Sequence, residues 1–508
     1  MNEYLLFLVA LIPIAWLMIS LGALKMEGHK TCFLTLLITL ILAIVFWKMP
    51  ALDAVTAALE GVALGLWPIM LVIIAAVFTY NVSVHTKSME LIKKMMINIS
   101  TDKRILVLIL AWGFGGFLEA IAGFGTAVAI PASIMAALGF DPVFAAIICL
   151  IANTAPTAFG AIGIPVSTLA QITSLDVNLL SYTVTIFLTP VIILIPIILV
   201  MLTEKTIKGI KGVVAITLVS GISFAIPQMF IAKHMGADLP SIVGSVSSMI
   251  CTIIMAKVFY KEKSSPSDKS ITFKSIVLAW LPFILVFLFI IFTSPLFPKV
   301  NEFLSTIQTS VYIYTGEGAK PFTFLWLATP GTLIIIATFI GGAIQGAKFK
   351  DMFHILMKTF KQMSKSFITI LSIVALAKVM GYSGMIKSIA TILVQVTGKY
   401  YPLISPVIGA MGTFVTGSDT SCNVLFGGLQ VEVAKSLNLS PYWLAAANTG
   451  GATAGKMISP QSIAVATAAT GLVGAEGKIL NATFKICIFY VIILGLIAYF
   501  AAPLFNII

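Results

Sequence analysis

Four ionisable residues stand inside apolar sequence, where an uncompensated charge is costly: Glu119, Lys378, Asp419 and Lys456. Two of them belong to short polar interruptions. Glu119 opens the run Glu119-Ala-Ile-Ala-Gly-Phe-Gly-Thr126, which supplies Gly123, Phe124, Gly125 and Thr126. Asp419 lies in Gly417-Ser-Asp-Thr-Ser-Cys-Asn423, beside Ser418, Thr420, Ser421 and Asn423. Two more interruptions follow downstream of these: Ala152-Asn-Thr-Ala-Pro-Thr157, with Asn153 and Thr154, and Asn448-Thr-Gly-Gly-Ala-Thr453, with Asn448, Thr449 and Gly450. At each of the four, a membrane helix is expected to break. A broken helix turns backbone N–H groups, with their partial positive charge, toward whatever lies at its start. Asn and Thr side chains add neutral donors. Four such ends meeting at mid-membrane make a site for a small anion without any arginine. Tight helix packing also favours small residues, but it explains the glycines and alanines better than it explains Asn-Thr at matched positions.

Carboxyls in apolar surroundings are candidates to gain and lose protons during a functional cycle, so Asp419 first and Glu119 second are the expected coupling groups. Ser, Thr and Asn oxygens at such tips also suit sodium, and residue types alone leave the two ions open. Lys456 follows Thr449 by seven residues and shares its helix face. It suits a substrate carboxylate or an ion pair with Asp419 or Glu119. Lys378 has no polar motif around it and reads as structural.

The elements that must hold these groups are membrane helices. Of 508 residues, 59% are hydrophobic and 10% charged, with a mean hydropathy of +1.08. A soluble domain is nearer half apolar and about a quarter charged, so an ordinary soluble enzyme is excluded. Apolar spans fall at about 4–24, 31–47, 62–84, 181–202, 212–232, 241–260, 276–295, 323–346, 367–386 and 485–507, long enough to cross a bilayer core of about 30 Å. The expected fold is an all-α polytopic membrane protein. The net charge of +12 reflects basic loops that set orientation rather than nucleic-acid binding. Five cysteines and four histidines show no metal-ligand spacing, and neither a metal nor a cofactor is expected.

Lysine counting fixes the topology. The loops 85–104, 261–275 and 347–366 are strongly basic and belong on the cytoplasmic side. In-out alternation between them works only if 105–138 is a re-entrant hairpin entered from the cytoplasm and 402–437 one entered from outside. The cytoplasmic side then holds 22 of the 31 basic residues. About twelve crossings and two oppositely oriented hairpins result. The chain divides into 1–104, N-terminal helices; 105–172, hairpin and broken helix; 181–366, middle helices and cytoplasmic loops; and 367–508, C-terminal helices with the second hairpin and a second broken helix at 441–470. Opposite hairpins imply an inverted repeat. Ala152-Asn153-Thr154 recurs as Ala447-Asn448-Thr449, and at the same offset of 295 Gly160 matches Gly455 and Pro165 matches Pro460.

At these motifs the chain resembles the L-lactate permease family. The likeness is carried by Gly115-Gly-Phe-Leu-Glu-Ala-Ile-Ala-Gly-Phe-Gly-Thr-Ala-Val-Ala-Ile-Pro131, Ile151-Ala-Asn-Thr-Ala-Pro-Thr-Ala-Phe-Gly160 and Gly417-Ser-Asp-Thr-Ser-Cys-Asn423, and it extends over essentially the whole chain. It implies import of L-lactate, with D-lactate and glycolate, by proton symport across the bacterial cytoplasmic membrane. The layout also resembles a wider group of ion transporters whose polar hairpin tips hold substrate, which often dimerise and often use sodium; a homodimer is the implied partner state. Two rival classes compete. An intramembrane enzyme needs a base or metal at membrane depth, and no histidine accompanies the Ser and Thr there. An anion channel needs a continuous polar lining, whereas polarity here is confined to a central zone.

Overall fold

The computed structural model describes residues 3–24, 26–97, 100–123, 125–204, 206–260, 272–293, 297–472 and 475–505. Phe124 and the loop lysines Lys205, Lys261, Lys263 and Lys269 fall outside them. The described chain is mostly helix, because within a bilayer every backbone donor and acceptor needs an internal partner. Among the described residues, ten helices are long and apolar enough to cross a membrane. One of these, Lys103–Ile121, is 94% buried within the protein and forms the first leg of a hairpin. The other nine, with the shorter Pro330–Ile344 and two broken helices, supply the twelve expected crossings.

Hairpin one pairs Lys103–Ile121 with Thr126–Ala137, and hairpin two pairs Tyr401–Thr416 with Asp419–Ser436. Both occupy the stretches that the lysine count marks out. Their tips turn on Gly123, Gly125 and Gly417 at φ of 57°, 86° and 71°, a region that side-chain-bearing residues enter only with strain. The base of hairpin one is tied to the connection at 207–213. Arg104 grips Asp102 through two nitrogens, the nearer contact 2.7 Å, and donates to the Gly209 carbonyl at 2.9 Å.

The breaks do not lie where the Asn-Thr motifs put them. Helix Pro142–Ala152 continues through Asn153, which keeps helical backbone angles, into Thr154–Thr157. The interruption is at Ala161, Ile162 and Gly163, all in the left-handed region. In the second half, Pro441–Lys456 runs unbroken through Asn448, Thr449 and Gly450, and the chain breaks at 457–459 before Pro460–Thr470. The two breaks still correspond, since Pro165 and Pro460, the matched prolines, follow each of them. The physical reason is that Asn448 and Thr449 find buried partners and need not open the helix, whereas proline has no N–H and suits a helix start.

Two glycine-lined surfaces interlock hairpin two with the second broken helix. A β-carbon at Gly409 would strike the backbone of Asn448, one at Gly451 that of Pro406, and one at Gly455 that of Ala410. The span expected at 323–346 is shorter. Its first residues form strand β2, Phe322–Leu325, paired antiparallel with β1, Gln308–Val311, and the helix begins only at Pro330. Alternating aromatics explain this, with Phe324 stacked on Trp326 at 5.5 Å. Helices also occupy Ser88–Ile97 and Phe349–Gln362, outside the expected spans, and Met385–Thr397, which begins at the end of the expected span 367–386 and runs beyond it.

Candidate functional site

The hairpin tips and the two breaks converge on one cavity of about 500 Å³. All four half-helix starts contribute to its wall: Gly125 of hairpin one, Ile164 and Pro165 after the first break, Ser418 and Asp419 of hairpin two, and Pro460 and Gln461 after the second break. Two of these starts have side-chain caps. Ser418 accepts from the Ser421 amide at 3.2 Å, and Ser459 accepts from the Ser462 amide at 3.2 Å. Their helices, Asp419–Ser436 and Pro460–Thr470, direct the positive ends of their dipoles at the cavity. Gly417 and Gln461 lie against each other, so the tip of hairpin two rests on the second break.

The charged groups are arranged as one pair and one single acid. Lys456 Nζ donates to Glu119 Oε1 at 2.9 Å, with side-chain exposures of 14% and 2%. This settles the partner of Lys456: it is Glu119. Gly160 lies against the Glu119 carboxylate, and a β-carbon there would crowd Oε1, so the first break shapes the seat of the acid. Glu119 Oε2 has no hydrogen-bond partner among the described residues. Asp419 is 2% exposed and neither of its carboxylate oxygens has one either. A cation, two carboxyls and capped helix starts share one wall, an arrangement suited to binding a small anion and exchanging a proton with it.

At the opposite end the wall reaches Glu27, His29, Lys365 and Ser366. Glu27 accepts from Lys365 at 2.8 Å, with side-chain exposures of 47% and 70%, so this end is the mouth. Hydrogen bonds from Lys365 and then Lys30 hold the Glu27 carboxyl down to about 2. Lys365 closes the basic segment 347–366, so the mouth lies on the side that the lysine count expects to be cytoplasmic.

Of the expected site residues, Glu119, Gly123, Gly125, Ser418, Asp419, Thr420, Ser421 and Lys456 line the cavity. Asn423, Asn448 and Thr449 lie behind the wall in a buried polar network. Asn423 Oδ1 accepts from Asn448 at 3.0 Å and from Thr449 at 2.9 Å, while Asn423 Nδ2 donates to the Pro165 carbonyl at 3.2 Å. Gln430 donates to Asn448 Oδ1 at 3.2 Å and accepts from Ser405 at 2.9 Å. The network fastens hairpin two to both broken helices. Gly450 packs on Phe187, and Thr154 donates to the Ile151 carbonyl at 2.8 Å. Asn153 is buried, and its amide finds no partner among the described residues. Thr126 is the first residue of the second leg of hairpin one.

Thr157, Gly160, Pro165, Gln461 and Ser462, none of them an expected site residue, also line the cavity. A legible signal existed: Ser459-Pro460-Gln461-Ser462 is a capping residue followed by proline at the first helical position. The mouth residues have no such signal, since nothing local links Glu27 to Lys365 across the chain.

Residues 6–505 match the family described as L-lactate permease. The chain is similar to an L-lactate permease of Streptococcus iniae, 55% identical over 440 residues, which take in 86% of this chain and 93% of the relative. It is 36% identical to the glycolate permease GlcA of Escherichia coli, over 98% of this chain and 96% of the relative. In three dimensions it resembles MtrF of Neisseria gonorrhoeae, which is described within a class of antimetabolite efflux pumps, with a TM-score of 0.51, 11% identity and coverage of 95% and 96%. At that identity the likeness concerns the fold alone.

Proposed function

This chain belongs to the L-lactate permease family, and on that premise we propose that it moves L-lactate, with D-lactate and glycolate as further substrates, in symport with protons. It is a multi-pass protein of the bacterial cytoplasmic membrane. The observation that carries the reading is the buried Lys456–Glu119 pair sharing one cavity with Asp419. Lys456 is the deep cation of that cavity, and it is already occupied by Glu119. A substrate carboxylate entering between the helix starts competes with Glu119 for it. The displaced Glu119 is left buried without a counter-ion, a state that a proton relieves. Asp419, on the same wall with both oxygens free, is placed to take or pass that proton. Substrate and proton then arrive and leave together, because neither charge is balanced without the other. The hydroxyl of a 2-hydroxy acid finds donors and acceptors in Thr420, Ser421 and Ser462.

Purified protein in liposomes provides the test. Labelled lactate should accumulate when the outside is acidic, and preloaded unlabelled lactate should drive counterflow. Accumulation that follows a sodium gradient at equal pH would instead assign the free Asp419 oxygens and the tip hydroxyls to sodium. Flux that neither saturates nor shows counterflow would indicate a channel.

A further inference from the structure

A second buried acid–base pair lies away from the cavity and plays no part in the reading above. Glu60, 4% exposed, sits on the helix Ala51–Leu64. Its Oε1 accepts from Lys378 Nζ at 2.8 Å and from the Tyr382 hydroxyl at 2.8 Å. Its Oε2 is buried and has no hydrogen-bond partner among the described residues. The arrangement repeats that of Glu119, which also offers Oε1 to a lysine and leaves Oε2 free.

Its place in the fold is the other end of a shared helix. In Ser364–Ser383, Ser366, Thr369 and Ile370 line the cavity toward its cytoplasmic mouth. Lys378 and Tyr382 stand eight and twelve residues beyond Ile370, roughly 12 and 18 Å along the axis. They therefore lie toward the outer face. A roof covers them there. Tyr314 stacks on Tyr382 with ring centroids 3.9 Å apart, and Thr315 donates to Asp53 at 2.7 Å. The roof is the loop between β1 and β2, and Trp67 pins it by donating to the Leu325 carbonyl at 3.0 Å. Lys378 and Tyr382, from one helix, bond Glu60 directly; Tyr314 of the roof has Glu60, Asp53 of the same helix as Glu60 and Glu317 of the roof as its acidic neighbours.

A lysine–carboxylate pair kept only for packing is a poor investment in a bilayer, since desolvating both charges offsets their attraction. Here one oxygen takes both donors and the other is left empty. That geometry lets Oε2 gain a proton while Lys378 and Tyr382 keep their bonds to Oε1. We propose that Glu60 is a further proton-binding carboxyl of the transport cycle, loaded from the outer side, as Glu119 and Asp419 serve the cytoplasmic cavity. The bond change is the formation of one O–H on Oε2, with hydronium of the outer water as the donor. The inference rests on the proton-symport reading.

The test compares the parent with Glu60→Gln and with the double variant Glu60→Gln/Lys378→Gln in liposomes. The double variant removes both charges, so it avoids stranding a lysine. Two quantities are measured: accumulation driven by external acid, and lactate exchange at equal pH. The expected result is a ratio of accumulation to exchange at least tenfold lower in the double variant, with the same midpoint of thermal unfolding. An unchanged ratio overturns the proposal and leaves the pair structural. Equal loss of exchange and accumulation overturns it too, by assigning the pair to the permeation step. Failure of the underlying reading is separately visible, because the parent itself then shows no acid-driven accumulation.

Discussion

Substituting Lys456 separates what the buried pair does for the fold from what it does for the anion. The pair is 2.9 Å long and Glu119 is 2% exposed. The Glu27–Lys365 pair at the mouth is 2.8 Å long but half exposed or more, so burial, not distance, decides the difference between them. Lys456→Gln leaves Glu119 as an unbalanced carboxylate in a desolvated site, which costs about 3–5 kcal/mol. Glu119→Gln/Lys456→Gln removes both charges and leaves two amides that can bond each other, within about 1 kcal/mol of the parent. Relative to Lys456→Gln, the double variant should therefore recover about 2–4 kcal/mol of stability. Binding should behave differently. Both variants lack the ammonium that meets the substrate carboxylate, a loss of about 1.5–3 kcal/mol, so half-saturation rises about ten- to a hundredfold in both. Stability is read from thermal unfolding in detergent and half-saturation from initial rates of counterflow. Stability should return in the double variant and affinity should not. If Lys456→Gln transports with the parental half-saturation, or if the double variant regains it, the ammonium is not the partner of the anion and the competition argument fails.

Asp419→Asn fixes that group neutral; acid-driven accumulation should collapse while exchange persists, and retained accumulation in a pH-gradient assay would remove Asp419 from coupling. Asn448→Ala takes one donor from Asn423 Oδ1 and leaves the Gln430 side-chain amide N–H without its buried acceptor, and should lower stability by about 1–3 kcal/mol, measured by unfolding midpoint; a parental midpoint would mean the network does not fasten hairpin two. Glu27 has a folded value of about 2 against an ordinary 4.5, so its contribution is complete above pH 4.5 and is lost only as pH falls toward 2. Hydrogen exchange at residues 26–31, corrected for intrinsic rates, should thus be constant from pH 8 to 5 and faster in Glu27→Gln; a rise in the parent between pH 6 and 5 would contradict a stabilising Glu27–Lys365 pair.

Much of this architecture is legible in the chain because the bilayer restricts the options. Apolar length gives the spans, lysine placement gives their direction, and the two together force hairpins at 103–137 and 401–436. Glu119 and Asp419 stand out for the same reason, as charges where charge is costly. Less local facts stay hidden. Asn448 reads as a helix breaker until its partners Asn423 and Gln430, from another helix, are known. The left-handed turn at Ala161 and Ile162 has no residue-type signal, since neither is a glycine. The choice of Glu119 over Asp419 as the partner of Lys456 depends on how three elements meet. The pair of Glu60 and Lys378 was half visible: the lysine was conspicuous, but its acid lay 318 residues away.

The glycine seam between Tyr401–Thr416 and Pro441–Lys456 works as a key in a lock. Gly409, Gly451 and Gly455 each face a backbone atom with no room for a methyl group, so a shift of one helix along the other by a single residue would put a side chain where only hydrogen fits. Sliding there is blocked in both directions. Any movement that closes the cytoplasmic mouth must move these two helices as one piece, with Lys456 aboard. Freedom is left where contacts end in pliant side chains, as where Gly417 rests on Gln461. The sturdiest joint in the molecule thus narrows the search for the moving one to the hairpin tips.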